Sequence, residues 1–332
     1  MRSGSVMDTL GILLNISILV VFLVLLDRSS YAVITGAEDI SKSTRLRYSS
    51  VGFIFVALST SLPEATVSLF ATIEDQAGLA IGNVLGSNIA NVCLILGIPI
   101  FYGCLTKASG GCSLNIGRQE LSSLFFGLFI SSVLPLFLLR GAKYGIYIGI
   151  LLVFLFFIYS YNLSKRSFAA ELMPQVRGDR KTLTKGIAWT LIGISGVIVS
   201  GYAIVCGASN LAVAFSLSGT LIGATVIAVG TSLPELAISI KSIQKKRMDF
   251  AFANAIGSCF ANLTIILGLV FIFSRLVIRI EAYFDLVFFS LISNLFLWYF
   301  LTREKLGLKE SAFLILIYAV FLTEFIGAFT LF

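Results

Sequence analysis

The chain has 332 residues, of which 58% are hydrophobic and only 12% charged, with a net charge of +7 and a mean hydropathy of +0.99. Soluble domains carry roughly 25% charged residues, so this chain has about half the charge that a water-facing surface needs. An ordinary soluble enzyme, a disordered protein and a disulfide scaffold are excluded, and a polytopic membrane protein is left. The absence of histidine removes histidine-ligated zinc or haem, a Ser-His-Asp triad and a histidine proton relay. The five cysteines (Cys93, Cys104, Cys112, Cys206, Cys259) show no CxxC spacing. They read as small buried apolar residues rather than metal or redox groups, and no cofactor is expected.

A bilayer core takes about 20 apolar residues per helix. In chain order the candidate spans are 8–40, 48–73, 77–103, 120–139, 144–162, 186–213, 219–243, 249–274, 282–301 and 311–331. The fold class expected is therefore all-α, with ten transmembrane helices. The first span opens with Arg2 and an apolar run, but no small-residue cleavage site follows, so it reads as a mature span rather than a signal peptide. With ten spans the loops alternate sides. One side then holds Arg2, Arg140, Lys143, Arg275 and Arg279, and the other holds the remaining 19 of the 24 Lys and Arg. The positive-inside rule puts the basic side in the cytoplasm, both termini outside and the 163–185 loop cytoplasmic. The basic charge is thereby a topology signal, and no nucleic-acid partner is expected.

Residues 31–98 and 202–269 align without a gap at a constant offset of 171, with 22 of 68 positions identical. The centre of the match is Ser59-Thr60-Ser61-Leu62-Pro63-Glu64 against Gly230-Thr231-Ser232-Leu233-Pro234-Glu235. Further on, the segment from Gly82 to Asn91 faces the segment from Ala253 to Asn262. The chain divides into a first half (1–162), a short loop (163–185) and a second half (186–332). Five spans per half is an odd number, so the second half enters the membrane from the opposite side. An inverted repeat of this kind marks a secondary transporter with its site at the midplane.

Glu64 and Glu235 sit in mid-span within the repeated motif. A charge at the bilayer centre costs about 3 kcal/mol or more, so an intramembrane carboxylate is a functional group by default. Neither has a Lys or Arg within a helical turn, and a bound cation is the simplest neutraliser. Thr60, Ser61 and Ser68 lie on the face of Glu64, and Thr231, Ser232 and Ser239 on that of Glu235. Pro63 and Pro234 lack the N–H that would engage the carbonyls of Ser59 and Gly230, and such broken helices line sites in membranes. Asn83, Ser87 and Asn91 form a second polar stripe, repeated by Asn254, Ser258 and Asn262. Carboxylate, hydroxyl, amide and carbonyl oxygens suit Ca²⁺ and Na⁺ rather than soft metals. For any single Ser, Thr or Asn, interhelical hydrogen bonding is the competing role.

At these residues the chain resembles the cation/Ca²⁺ exchanger superfamily, and in particular the prokaryote-type Na⁺/Ca²⁺ exchangers. That family carries two repeats, each with a G-T-S-x-P-E/D and a G-S-x-x-x-N/D segment, on a ten-helix fold. The resemblance implies that Glu64 and Glu235 are the central ligands shared by Ca²⁺ and Na⁺. It implies flanking roles for Thr60, Ser61, Ser87, Thr231, Ser232 and Ser258, and for the carbonyls of Ala57 and Ala228 at outer sodium sites. Ser59 departs from the glycine of the pattern. Asn91 and Asn262 both stand where archaeal exchangers and K⁺-dependent exchangers carry one aspartate, whereas animal K⁺-independent exchangers carry asparagine at both, and the resemblance to these implies transport without K⁺. The 163–185 loop is too short for large regulatory Ca²⁺-binding domains. Alternating-access antiport by a monomer in a plasma or inner membrane is expected, and because the sequence shows no nucleophile–base constellation, an enzyme is not.

The empty site would hold about two negative charges, which disfavours occlusion unless cations are bound. The long first and sixth spans are the elements expected to slide. H⁺/Ca²⁺ exchange is the nearest rival, a cation channel a more distant one. Asp27 and Arg28 read as a local ion pair, and Asp285 and Glu324 as packing or helix-end groups.

Overall fold

The computed structural model describes residues 9–44, 61–106, 118–138, 145–167, 180–244, 248–274, 283–303 and 306–330, and every regular element in them is helical. In chain order these are α1 (Thr9–Thr44), α2 (Leu62–Ile73), α3 (Ala77–Leu105), α4 (Arg118–Leu138), α5 (Gly145–Ser167) and α6 (Arg180–Ala214). They continue as α7 (219–231), α8 (Leu233–Gln244), α9 (248–273), α10 (Phe284–Thr302) and α11 (Leu308–Thr330). Among the described residues six stretches are long and apolar enough to cross a membrane: Leu10–Ala32, Ala77–Leu105, Thr182–Ala214, Gly219–Gln244, Ala251–Phe273 and Phe284–Thr302. Shorter apolar helices, Leu62–Ile73, Phe125–Pro135 and Gly145–Ser160, stand beside them. Large apolar side chains such as Leu14, Val21, Phe154 and Ile192 lie exposed on α1, α5 and α6. In water that surface would be a liability; against lipid it is the expected exterior. The molecule is an all-α polytopic membrane protein.

The interior is built by α3 and α9. On α3 every residue from Leu79 to Cys93 is buried. Gly78, Gly82 and Gly86 recur every turn on one face of α3 and meet Thr220 and Ala224 of α7. Gly223 in turn abuts the Leu79 carbonyl. Small residues at this spacing let two backbones touch, the usual basis of helix association in lipid. Partner numbers rise together along this seam, so α3 and α7 run parallel.

The two longest helices, α1 and α6, run 36 and 35 residues. They overrun the hydropathy windows because each helix continues through polar residues beyond its apolar stretch. They lie side by side: a β-carbon on Gly36 would collide with Thr190 and one on Gly196 with Ser29, while Gly207 packs against Leu19. Asn210 Nδ2 also donates to Asn15 Oδ1 at 3.1 Å. Here the partner numbers fall on one helix as they rise on the other, so α1 and α6 are antiparallel.

Both α2 and α8 contain 12 residues, and they begin 171 positions apart. Both α3 and α9 widen into a π-turn, Asn91–Ile95 in one and Asn262–Ile266 in the other, again 171 positions apart. A third π-turn, Gly223–Ile227, lies in α7, and such turns are frequent at functional sites.

Two expectations fail. Asp27 and Arg28 do not pair: Asp27 is half-buried, whereas Arg28 is exposed. Consecutive helical residues do not face each other. Cys93 and Cys259 are free and buried and Cys206 is free and half-buried, but Cys104, where α3 ends, is engaged in a disulfide.

Candidate cation site

Each glutamate occupies the first turn of a helix that has just restarted. Ser61 precedes α2, and Ser232 is the turn residue between Thr231 and Leu233. Pro63 and Pro234 force the restart, since a proline clashes with the carbonyl four residues back and cannot donate to it. In the first turn of the new helix that missing N–H costs nothing. The positive end of the helix dipole then lies beside each carboxylate. The turn between α2 and α3 places Asp75 in the left-handed region (φ 57°), which aspartate tolerates better than most residues. The chain there folds back to set α3 against α2.

Glu64, Glu235, Ser61, Ser232, Ser87, Asn83, Asn91 and Asn262 are all fully buried, and Thr231 and Ser258 nearly so. Ser232 Oγ donates to Glu64 Oε1 at 2.9 Å and Ser258 Oγ to Glu235 Oε1 at 3.3 Å. The amides at equivalent positions play equivalent parts: Asn83 Nδ2 donates to the Glu64 carbonyl at 3.3 Å, and Asn254 Nδ2 to the Glu235 carbonyl at 3.4 Å. Asn83 also donates to Ser68 Oγ (2.9 Å) and accepts from Thr231 Oγ1 (3.2 Å). Across the halves, Ser61 and Ser258 share a hydrogen bond of 2.9 Å, and Asn91 Nδ2 donates to Ser258 Oγ at 3.1 Å. Asn262 Nδ2 donates to Asn88 Oδ1 at 3.4 Å.

Among the described residues Ser239 Oγ, on the Glu235 face, is buried without a partner, and so are four oxygens closer to the centre of the layer: Glu64 Oε2, Glu235 Oε2, Asn91 Oδ1 and Asn262 Oδ1. The four are two pairs of equivalent atoms at the offset of 171. A buried acceptor left without a donor costs about 1–3 kcal/mol, more when charged. Among the described residues neither glutamate is paired with a Lys or Arg, and no group of three His, Cys, Asp or Glu side chains forms. Two carboxylates, two amide oxygens and surrounding hydroxyls are a donor set for a hard cation.

Not every residue singled out from the sequence joins this layer. Ser87 donates instead to the Ala228 carbonyl, at 3.4 Å, and so ties α3 to α7. That carbonyl also accepts from Thr231 Oγ1 (3.3 Å) and the Ser232 N–H (3.2 Å), so it is fully engaged here. Ala57 and Thr60 lie outside the described residues. Asn88 was missed by the motif reading. Its equivalent is Cys259 rather than an amide, so the repeat carried no signal for it, yet Cys259 Sγ reaches the Asn88 carbonyl at 3.8 Å.

A sequence profile described as sodium/calcium exchanger protein matches residues 14–165 and 185–327. The chain belongs to this family. It is 32% identical to the putative antiporter CaxA of Alkalimonas amylolytica over 253 residues, covering 74% of this chain and 76% of that one. It is 28% identical to the sodium/calcium exchanger MaX1 of Methanosarcina acetivorans over 94% and 98% of the two chains. The Ca²⁺/H⁺ antiporter ChaA of Bacillus subtilis is a more distant relative, 24% identical over 63% of each chain. Among solved structures, one of the sodium-calcium exchanger NCX_Mj superposes with a TM-score of 0.63 at 24% identity, covering 93% of this chain and 98% of that chain. The protein is a prokaryote-type cation/Ca²⁺ exchanger, a transporter rather than an enzyme.

Proposed function

We propose that the protein is a Na⁺/Ca²⁺ antiporter working by alternating access without K⁺, with Glu64 and Glu235 as the shared ligands of both cations. The observation that carries this reading is the set of four unpartnered oxygens, Glu64 Oε2, Glu235 Oε2, Asn91 Oδ1 and Asn262 Oδ1. Ser61, Ser232, Thr231 and Ser258 surround them, with Thr60 and Ser87 completing the flanking positions. The carbonyls of Ala57 and Ala228 flank the outer Na⁺ positions; the three donors now on Ala228 must exchange for it to serve.

The reading includes ten spans in two inverted halves, 1–162 and 186–332, joined by the cytoplasmic 163–185 loop, with both termini outside. Its support is the antiparallel packing of α1 on α6, two elements at equivalent positions of the repeat, together with the paired π-turns. In an inverted repeat the two-fold relation exchanges inside for outside, so one site serves both faces. Empty, the two carboxylates repel and lack solvent, which opposes closing the site. Loaded with Ca²⁺ or with several Na⁺, the charge is offset and the closed form becomes accessible. Exchange without leak follows. The protein acts as a monomer in the plasma or inner membrane.

H⁺/Ca²⁺ exchange is the second reading, favoured by the likeness to ChaA and by carboxylates that accept protons. Ca²⁺ uptake into proteoliposomes with separately imposed Na⁺, K⁺ and pH gradients distinguishes the two. The proposal requires uptake driven by internal Na⁺ and unaffected by K⁺; uptake driven by a pH gradient without Na⁺ would replace it with the proton-coupled reading.

A further inference from the structure

Arg28 lies within the apolar stretch Leu10–Ala32 of α1, is exposed, and makes no ion pair or hydrogen bond with any described residue. Its neighbours on the helix show where it faces. Val21, Val24 and Leu25 stand seven, four and three positions before it, so all four share one side of α1, and the three apolar residues are exposed as well. Tyr31, three positions further on, continues that side and is 68% exposed. The opposite side carries Leu19, Ser29 and Gly36 against Gly207, Gly196 and Thr190 of α6. Arg28 therefore faces the lipid that covers Val21 and Val24, and not the bundle.

Four residues separate Arg28 from Ala32, about 6 Å of helix rise, so it sits just inside one edge of the hydrocarbon layer. A guanidinium is always charged. In hydrocarbon it is costly unless the long side chain stretches to the interface and meets a polar partner there. Tyr31 stands nearer that interface, where an aromatic body with a hydroxyl suits the headgroup level. The polar group at that level is lipid phosphate, and the planar guanidinium matches a phosphate through two parallel hydrogen bonds. The charge around it selects the kind of lipid. Because α6 runs antiparallel to α1, its first turns lie at the same end as the last turns of α1. Arg28, Lys42, Arg180, Lys181 and Lys185 at that end outnumber Asp27, Glu38 and Asp39. A net positive end favours a headgroup with net negative charge over a zwitterionic one.

We propose that Arg28 and Tyr31 form a binding site for the phosphate of an anionic phospholipid on the lipid-facing side of α1. The equivalents at the offset of 171 are Val199 and Tyr202, so α6 has the tyrosine but no cation, and the site belongs to α1 alone. Since α1 is one of the two helices read as sliding, a headgroup held there ties its depth in the membrane to the lipid composition. The site does not depend on which ion drives exchange.

The test titrates phosphatidylglycerol, and separately phosphatidylcholine, into the purified full-length protein in neutral detergent and follows the melting temperature. Phosphatidylglycerol is expected to raise it to a plateau, and phosphatidylcholine to act only at far higher concentration. Arg28→Gln is expected to raise the half-effect concentration of phosphatidylglycerol about fivefold. Arg28→Lys, which keeps the charge but loses the fork, should fall between the two, and Tyr31→Leu should shift the value in the same direction. Arg303→Gln removes an exposed cation where α10 ends and should leave the value unchanged. No shift in Arg28→Gln, an equal shift in Arg303→Gln, or the same rise with inorganic phosphate alone would overturn the proposal. If Arg28→Gln does not fold, Arg28→Lys and Tyr31→Leu decide it, because a diffuse attraction to surface charge would ignore both.

Discussion

Glu64→Gln keeps the shape of the side chain and an acceptor for Ser232 Oγ, now at 2.9 Å from Oε1, but removes the charge. It therefore separates what the carboxylate does for the fold from what it does for the cation. Glu64 is fully buried with one oxygen unpartnered, so in the absence of cation its charge is a burden of about 2.5–3.5 kcal/mol by the cost of an acidic residue at mid-membrane. Part of that is recovered in the variant, and the cation-free protein should melt at a higher temperature than wild type. Loss of one partner of a buried charge pair costs about 2–5 kcal/mol, which weakens Ca²⁺ binding by at least about 30-fold. At a Ca²⁺ concentration 100 times the wild-type Kd, the stabilisation by Ca²⁺ then falls from about 2.7 to about 0.9 kcal/mol. Melting curves with and without Ca²⁺ measure both quantities at once. The two must move in opposite directions. A variant that melts lower without cation, or that keeps the full Ca²⁺ response, would refute the assignment of Glu64 as an uncompensated ligand.

Asn91→Ala and Asn262→Ala each remove one unpartnered amide oxygen, and each should weaken Ca²⁺ by about tenfold in the same melting assay. Protonating either glutamate neutralises it, so Ca²⁺ half-saturation should rise as pH falls, and the slope against pH should be shallower in Glu64→Gln, which has one carboxylate fewer to titrate. Gly223→Val would drive a side chain into the Leu79 carbonyl, which cannot move aside as a flexible side chain could. Overpacking of this kind costs about 1–3 kcal/mol or more, and the yield of monodisperse protein on size exclusion should drop. Gly207→Leu thickens the seam between α1 and α6. If those helices slide, it should abolish Ca²⁺ flux in proteoliposomes while leaving Ca²⁺-induced stabilisation intact.

The repeat made the centre of the site legible from the sequence, because an acidic residue after Ser-Leu-Pro, twice, in apolar surroundings is too costly to keep unless it meets a cation. The break at Ser232 followed from Pro234 alone. Other features depend on contacts between elements distant in sequence. Ser87 and Ser258 are equivalent in the motif, but one holds the Ala228 carbonyl while the other holds Glu235. That difference comes from how the helices cross. Asn88 joins the polar layer although its equivalent is Cys259, so the repeat concealed it. The π-turns of α3 and α9 begin at Asn91 and Asn262, and nothing in the residues that follow these asparagines announces a wider turn. Asp27 beside an arginine suggested a local pair, but the two stand on different sides of α1, one half-buried and the other exposed. Cys104 read as another apolar cysteine because its disulfide depends on where α3 ends.

The most direct test is a crystal structure of the full chain soaked in Ca²⁺ or Sr²⁺, with anomalous difference maps locating the ion. A single strong peak at about 2.3–2.6 Å from both Glu64 Oε2 and Glu235 Oε2 is the predicted result, since that is the span of Ca²⁺–oxygen bonds. A peak lying away from both glutamates, or none at saturating cation, would contradict it.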